Sequence, residues 1–274
     1  MHMESKYSHI LEEIKANRES EFRAPKRIAE RNRVVSLIKK AQVVLYPGYF
    51  HFNDLSVDEA FAELAVEMRQ QIGSALCFSG TTPMKAEELT DRFMERLPAV
   101  MRSLDTDIQA IYDGDPAASS KAVILLCYPG FYAISIYRIA HELYRLGVPF
   151  IPRIMTEYAH EKTGIDINPG AVIGDYFCID HGTGIVIGET AVLGHHVKLY
   201  QGVTIGAKSF EKDENGNPVK GGKRHPDIGN NVVIYANATI LGGDTYIGDN
   251  TVIGGNTWII DSVEEGGKVY YKNK

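Results

Sequence analysis

DINPGAVIGDYFCIDHGTGIVIGETAVLGHHVKLYQGVTI, residues 166–205, repeats in sixes. Ile167, Ile173 and Ile179 fall on one beat. After an interruption at His181-Gly182-Thr183-Gly184, Ile187, Leu193, Leu199 and Ile205 resume it. A glycine follows the aliphatic residue at Ile173, Ile187, Leu193 and Ile205, and Ala171, Ala191 and Val203 recur four places after a beat. A helix cannot hold one face inward at period six, and a flat sheet asks for period two. A parallel β-helix satisfies the pattern, each hexapeptide supplying one short strand and a corner. In that reading the beat residue points inward and the glycine permits the tight turn. The beat returns at Ile228, Ile234 and Ile240, then slips by one residue to Ile247, Ile253 and Ile259.

Upstream the period changes. Apolar spacing over residues 5–46 predicts two helices separated at Pro25, ended by Pro47-Gly48. Ser56-Val57-Asp58-Glu59 reads as a capping box opening a helix to about Ile72, with Gly73–Thr82 as a connection. Thr82-Pro83 opens a further helix, which Pro98 is expected to break or kink, and Asp113–Pro116 stops the run. Helical runs then follow at 117–128, 131–146 and 149–162. The fold class is therefore α+β: an all-helical domain over residues 1–163, a β-helix over 164–260, and a polar tail over 261–274. Lys208–Lys223 has no beat, is charged and carries Asn215-Gly216, so it must be a loop extruded from the coil.

The 274-residue chain can bury a sizeable core. Its 29 Lys and Arg against 35 Asp and Glu argue against general nucleic-acid binding. Lys26-Arg27 with Arg31–Arg33 reads as a solvated helix face. Three cysteines, Cys77, Cys127 and Cys178, without CxxC spacing suggest neither a disulfide framework nor a zinc ribbon. The first residues lack the apolar core of a signal peptide. Residues 122–140 are apolar in bulk, but Pro129-Gly130 divides them and Arg138 lies among them, which favours a buried helix pair over a membrane segment. The expectation is a soluble, cytoplasmic protein.

Interruptions of a repeat are where chemistry is sought. Asp180-His181 puts a carboxylate and an imidazole on a corner beside small residues, and neutral histidine is suited to take a proton near pH 7. Asp166 precedes His181 by fifteen residues, close to one coil, and so is expected to orient the ring. The competing reading of His181 is a corner residue bonded to a backbone carbonyl. Arg224 offers a planar fork for a carboxylate and His225 a further polar contact; the alternative is a loop anchor paired with an acidic residue. Adjacent His195 and His196 would point in different directions on a strand, which disfavours a zinc site. His141 and His160 read as structural, and no nucleotide-binding fingerprint is present.

Several of these pieces together resemble the serine acetyltransferases of cysteine biosynthesis. They are Asp115-Pro116; Gly130-Phe131 with Tyr137-Arg138-Ile139-Ala140-His141; Asp166-Ile167-Asn168-Pro169; the DHGTGIVIGETAV run from Asp180; Gln201–Gly206; and Gly221–Pro226. The resemblance implies a left-handed β-helix and acetyl transfer from acetyl-CoA to the hydroxyl of L-serine. It implies His181 as general base with Asp166 as partner, Asp115 and Asp180 on the serine ammonium, and Arg224 and His225 on its carboxylate. It places Gly206, Ala207 and Lys208 at the CoA, with no metal. It also implies a homotrimer with the site between neighbouring β-helices, and a possible dimer of trimers. The chain ends Tyr271-Lys272-Asn273-Lys274, without the terminal Ile by which many members insert into O-acetylserine sulfhydrylase, so that complex is not expected. An acyltransferase acting on homoserine or a sugar, and a non-catalytic β-helix scaffold, are the alternatives.

Overall fold

The computed structural model describes residues 7–17, 28–209, 212–219 and 221–271; Pro25 and Lys26-Arg27 lie outside them. Seven α-helices are found among the described residues: α1 (Ser8–Asn17), α2 (Arg31–Leu45), α3 (Val57–Phe78), α4 (Ala86–Gly114), α5 (Lys121–Cys127), α6 (Pro129–Arg145) and α7 (Ile151–Thr163). The Ser56 capping box forms as expected, both of its reciprocal bonds being present.

Two helices run further than the sequence suggested. α3 continues through Gly73 and Ser74 because Ala75 and Leu76 complete its buried face. α4 runs unbroken past Pro98, which stands on the solvent side, where water can meet the carbonyl it leaves unpaired. Thr82 makes no side-chain cap; Pro83–Lys85 forms a 3-10 turn leading into α4. No single described helix is long and apolar enough to cross a membrane, and the apolar α5–α6 pair is bent by 76°.

Gly164 closes α7 with φ +70, and the coil begins two residues later. Among the described residues, fourteen strands of two or three residues, β1 (Asp166–Ile167) to β14 (Lys268–Val269), form three parallel sheets. Every beat residue stacks on its counterpart. Ile167, Ile187, Ile205, Ile240 and Ile259 make one ladder. Ile173, Leu193, Ile228 and Ile247 make the second. Ile179, Leu199, Ile234, Ile253 and Val269 make the third. The architecture is a left-handed β-helix behind a helical domain.

Two details differ from the expectation. The coil extends past residue 260, since Lys268-Val269 pairs with Val252-Ile253. Tyr270 then packs over Gly254. The glycines after the beat also serve another purpose than a left-handed turn. That conformation belongs to Tyr176, His181, His196 and to Asn231, Asn237, Asn250 and Asn256, all near φ +55 to +60. Gly174 instead stacks on Gly194, where a Cβ would lie 2.7 Å from backbone, and Gly194 stacks likewise on Gly229. Residue 206 is followed by the extruded loop, and the ladder resumes at Asp227 (β8, Asp227–Ile228) without loss of register.

A buried ion pair inside the helical domain also reaches across to the first coils. Arg138 of α6 donates from Nε and Nη2 to the two oxygens of Asp107 of α4, at 2.5 and 2.8 Å. The same guanidinium reaches the carbonyls of Ile173 (3.3 Å) and Gly174 (2.8 Å), and Asp107 accepts the Phe177 amide at 2.9 Å. Beside it, the Tyr137 hydroxyl donates to the Ala171 carbonyl and His141 Nδ1 meets the Pro169 carbonyl at 2.8 Å. The Tyr137–His141 segment is thus the inter-domain fastener. Arg138→Met leaves Asp107 buried and unpaired, so it should cost about 3–5 kcal/mol of stability in denaturant unfolding. A loss below about 1 kcal/mol would show that this pair adds little to holding the helices on the coil.

Candidate active site

Two groups of polar side chains stand at different edges of the triangular coil. The first lies at the corner between β3 (Cys178–Ile179) and β4 (Val186–Ile187), where α4 ends. Gly114 closes α4, and Asp115 follows it with its carboxylate fixed by the Tyr128 hydroxyl (2.6 Å) and the Ala117 amide (2.8 Å). Those bonds hold the Asp115 carboxyl below the usual carboxylate range, the Tyr128 bond contributing most. The same bond pushes the Tyr128 hydroxyl up to about 12.

Asp180 faces this group from the coil. Its Oδ1 lies 3.6 Å from His181 Nε2, and its Oδ2 lies 3.3 Å from Lys198 Nζ. His181 has φ +56, a conformation that costs a non-glycine residue energy, and its side chain is 74% exposed. The sequence thus brought forward Asp115, Asp180 and His181, and the fold gathers them. Tyr128 and Lys198 went unnoticed. The signal for Lys198 was a charged residue where the stacked positions hold Cys178 and Val233.

Asp166 is not brought to His181. The interruption at His181–Gly184 lengthens the first coil, so Asp166 pairs in register with Val186, beyond the corner. Its carboxylate instead meets Arg153 Nη1 of α7 at 3.3 Å. Glu157, His160 and Asp166 come close enough together to ligate an ion, but Arg153, paired with Glu157, already supplies a cation there.

The second group lies at the corner between β4 and β5 (Val192–Leu193). Arg224 pairs with Glu189, which also accepts the Tyr144 hydroxyl at 3.1 Å. The Arg224 pairing, first among its contacts, holds the Glu189 carboxyl below its ordinary value. In the single chain Arg224 is therefore anchored to an acidic residue, with other guanidinium N–H groups left over. His225 is buried, and its Nδ1 accepts the Thr190 amide at 3.1 Å. That bond puts the ring proton on Nε2, making His225 a donor. Burial, and then Arg224, push the His225 imidazole down to about 4, so it is neutral at pH 7.

The loop closes beside this corner. Lys223 Nζ donates to the Thr190 carbonyl at 2.7 Å and pairs with Asp227. A cavity of about 650 Å³ opens there, lined among others by Lys208, Lys223, Arg224, Gly242 and Asp244. Gly206 ends β7 (Thr204–Gly206), and Ala207 and Lys208 lead into the cavity wall. His195 and His196 have structural partners. His195 Nδ1 accepts the Asp175 amide, and His196 stacks on Tyr176 at 4.3 Å.

Gly188 makes the second corner possible. A Cβ there would lie 2.0 Å from Cδ2 of His225. Gly188→Ala should therefore expel the ring and return its pKa from about 4 toward the ordinary value, read by NMR titration of His225. A ring still titrating near 4 would show that the corner tolerates the methyl.

Three comparisons bear on this geometry. Residues 59–135 match the family model for the serine acetyltransferase N-terminal region. A serine acetyltransferase of Synechococcus elongatus is 48% identical over 244 residues, covering 82% of this chain and 76% of that protein. Among solved structures, serine acetyltransferase 1 of Entamoeba histolytica in complex with L-cysteine has a TM-score of 0.78 at 37% identity, over 86% of each chain. A serine acetyltransferase in complex with CoA has a TM-score of 0.60 at 25% identity, over 88% of this chain and 96% of that one. The chain belongs to the serine acetyltransferases, the enzymes that use acetyl-CoA to acetylate L-serine.

Proposed function

We propose that acetyl transfer takes place between two copies of this chain, one supplying Asp115, Asp180 and His181 and the other Arg224 and His225. The observation that carries this reading is the separation of the two groups onto different edges of one coil. L-serine has an ammonium at one end and a carboxylate at the other. Two carboxylates at one edge and a guanidinium with an imidazole N–H at another complement those ends. A closed trimer sets unlike edges of neighbouring β-helices against each other at every interface.

In this arrangement Asp115 and Asp180 take the ammonium. The carboxylate lies against the unengaged donors of Arg224 and Nε2–H of His225. His181 removes the serine hydroxyl proton as the oxygen attacks the acetyl carbonyl carbon of acetyl-CoA. The tetrahedral oxyanion expels the CoA sulfur, which takes the proton from the His181 imidazolium, leaving O-acetylserine and CoA. Both substrates are bound together throughout. A base so placed contributes ~10²–10⁴ in rate. Gly206, Ala207 and Lys208 line the CoA route, backbone N–H groups there serving the pantetheine or the oxyanion. The reaction as drawn uses no metal, and a dimer of trimers through the helical domains is compatible with it.

Asp180 is the carboxylate now at the imidazole; Asp166 takes the orienting role only by exchanging Arg153 for the ring. Asp166→Asn and Asp180→Asn separate the two. The orienter's loss should lower kcat by about 10²-fold or more, with little change in acetyl-CoA binding. An Asp166→Asn enzyme of full activity would leave the role to Asp180.

His181→Ala and Arg224→Ala should each abolish serine-dependent CoA release while the protein stays folded. Unfolded together and reassembled in equal amounts, the two inactive variants should recover about a quarter of wild-type activity, because random pairing restores one intact interface in four. No recovery from properly reassembled mixtures would place both groups in the same chain's site.

A further inference from the structure

Lys198 lies in β6 (Lys198–Leu199), one place before the inward beat, where the ladder needs no cation. Its ammonium is drawn into the seam between the domains, and only 16% of its side chain is exposed. Nζ donates to the Gly114 carbonyl at 2.7 Å, pairs with Asp180 Oδ2 at 3.3 Å, and lies 4.7 Å from the Tyr200 ring centroid. Gly114 is the last residue of α4, where unpaired carbonyls and the helix dipole favour a positive charge. Burial pulls the Lys198 ammonium down, but Tyr200, Cys178 and Asp180 outweigh it and hold it above its ordinary value.

The surroundings of His181 explain why a fixed cation matters. Asp180 faces the imidazole from its own corner, and Asp115 adds a second carboxylate from the end of α4. Tyr128 and Cys178 complete the neighbourhood. Both are neutral at pH 7, Tyr128 pushed up to about 12 by its bond to Asp115 and Cys178 to about 12 by burial. Asp115 and Asp180 set two negative charges at this corner, and like charges repel unless a cation stands by them. The serine ammonium offsets them only once serine has bound.

We propose that Lys198 is a positioning residue for this reaction. It divides the Asp180 carboxylate, holding one oxygen so that the other faces His181. It ties down the Gly114 turn that presents Asp115. It also supplies the resident positive charge that faces both carboxylates before serine arrives. The proposal rests on the reading of His181 as the general base.

The test is the pH profile of kcat/KM for serine in wild type, Lys198→Met and Lys198→Arg, with thermal unfolding of each. In the Met variant the acid limb should move upward by about one pH unit, giving roughly tenfold loss at the acid end that shrinks as pH rises. Arg should bring the limb back. An unmoved limb with the same loss at every pH would make Lys198 a structural tie only, and would overturn the proposal. If the Met variant does not fold, Lys198→Gln carries the same expectation, because it keeps a donor for the Gly114 carbonyl without the charge. A His181→Ala enzyme of wild-type activity would instead overturn the base assignment itself, which the Lys198 profiles leave separately readable.

Discussion

The whole arrangement depends on the bidentate pair between Asp107 and Arg138. Two charges removed from water cost several kcal/mol unless each finds its partners. Here the carboxylate has the guanidinium and the Phe177 amide, and the guanidinium has two coil carbonyls besides. Burial still pushes the Asp107 carboxyl up to about 6 against the pull of Arg138. The fork–fork pair sets α4 against α6, and its remaining bonds to the Ile173 and Gly174 carbonyls and the Phe177 amide set both against the coil. The same α4 that carries Asp107 ends two turns later at Gly114. Fixing one therefore fixes where Asp115 meets Asp180.

The coil was legible because period six matches no common alternative, and each beat residue proved to sit on a ladder. The change from helix to strand was legible for the same reason, since the period changes at Gly164. Less legible was whatever needed three-dimensional register. Counting residues set Asp166 beneath His181, but the interruption that carries His181 also lengthens the coil, and in the single chain Asp166 meets Arg153. Pro98 and Gly73 looked like helix breakers, because a local propensity does not reveal whether the next turn completes a buried face. The glycines that follow beat residues were read as turn formers. Gly174 and Gly194 instead allow close approach between coils, which depends on a neighbour twenty or more residues away along the chain.

The site was partly legible. Asp115, Asp180 and His181 converge, although the first belongs to the helical domain and the others to the coil. Arg224 and His225 form a second group at another corner, and no reading of one sequence can say which copy of a chain a residue serves. Glu189 occupies Arg224 in the isolated chain, much as Lys198 occupies Asp180. In the proposed site each half thus carries an internal counter-charge in place of the opposite end of a zwitterion. Such pre-pairing lowers the desolvation cost of leaving the halves empty, and it requires the substrate to compete for each of them.

The β-helix keeps phase rather than length. It absorbs the short interruption at His181–Gly184 and the long excursion after Gly206, and its three ladders resume in step after both. Insertions at its corners are therefore nearly invisible to the scaffold while being decisive for whatever is built upon them. Folding and chemistry in this chain can drift independently, and segments of altered length at those two corners are where relatives with the same coil would diverge in what they acetylate.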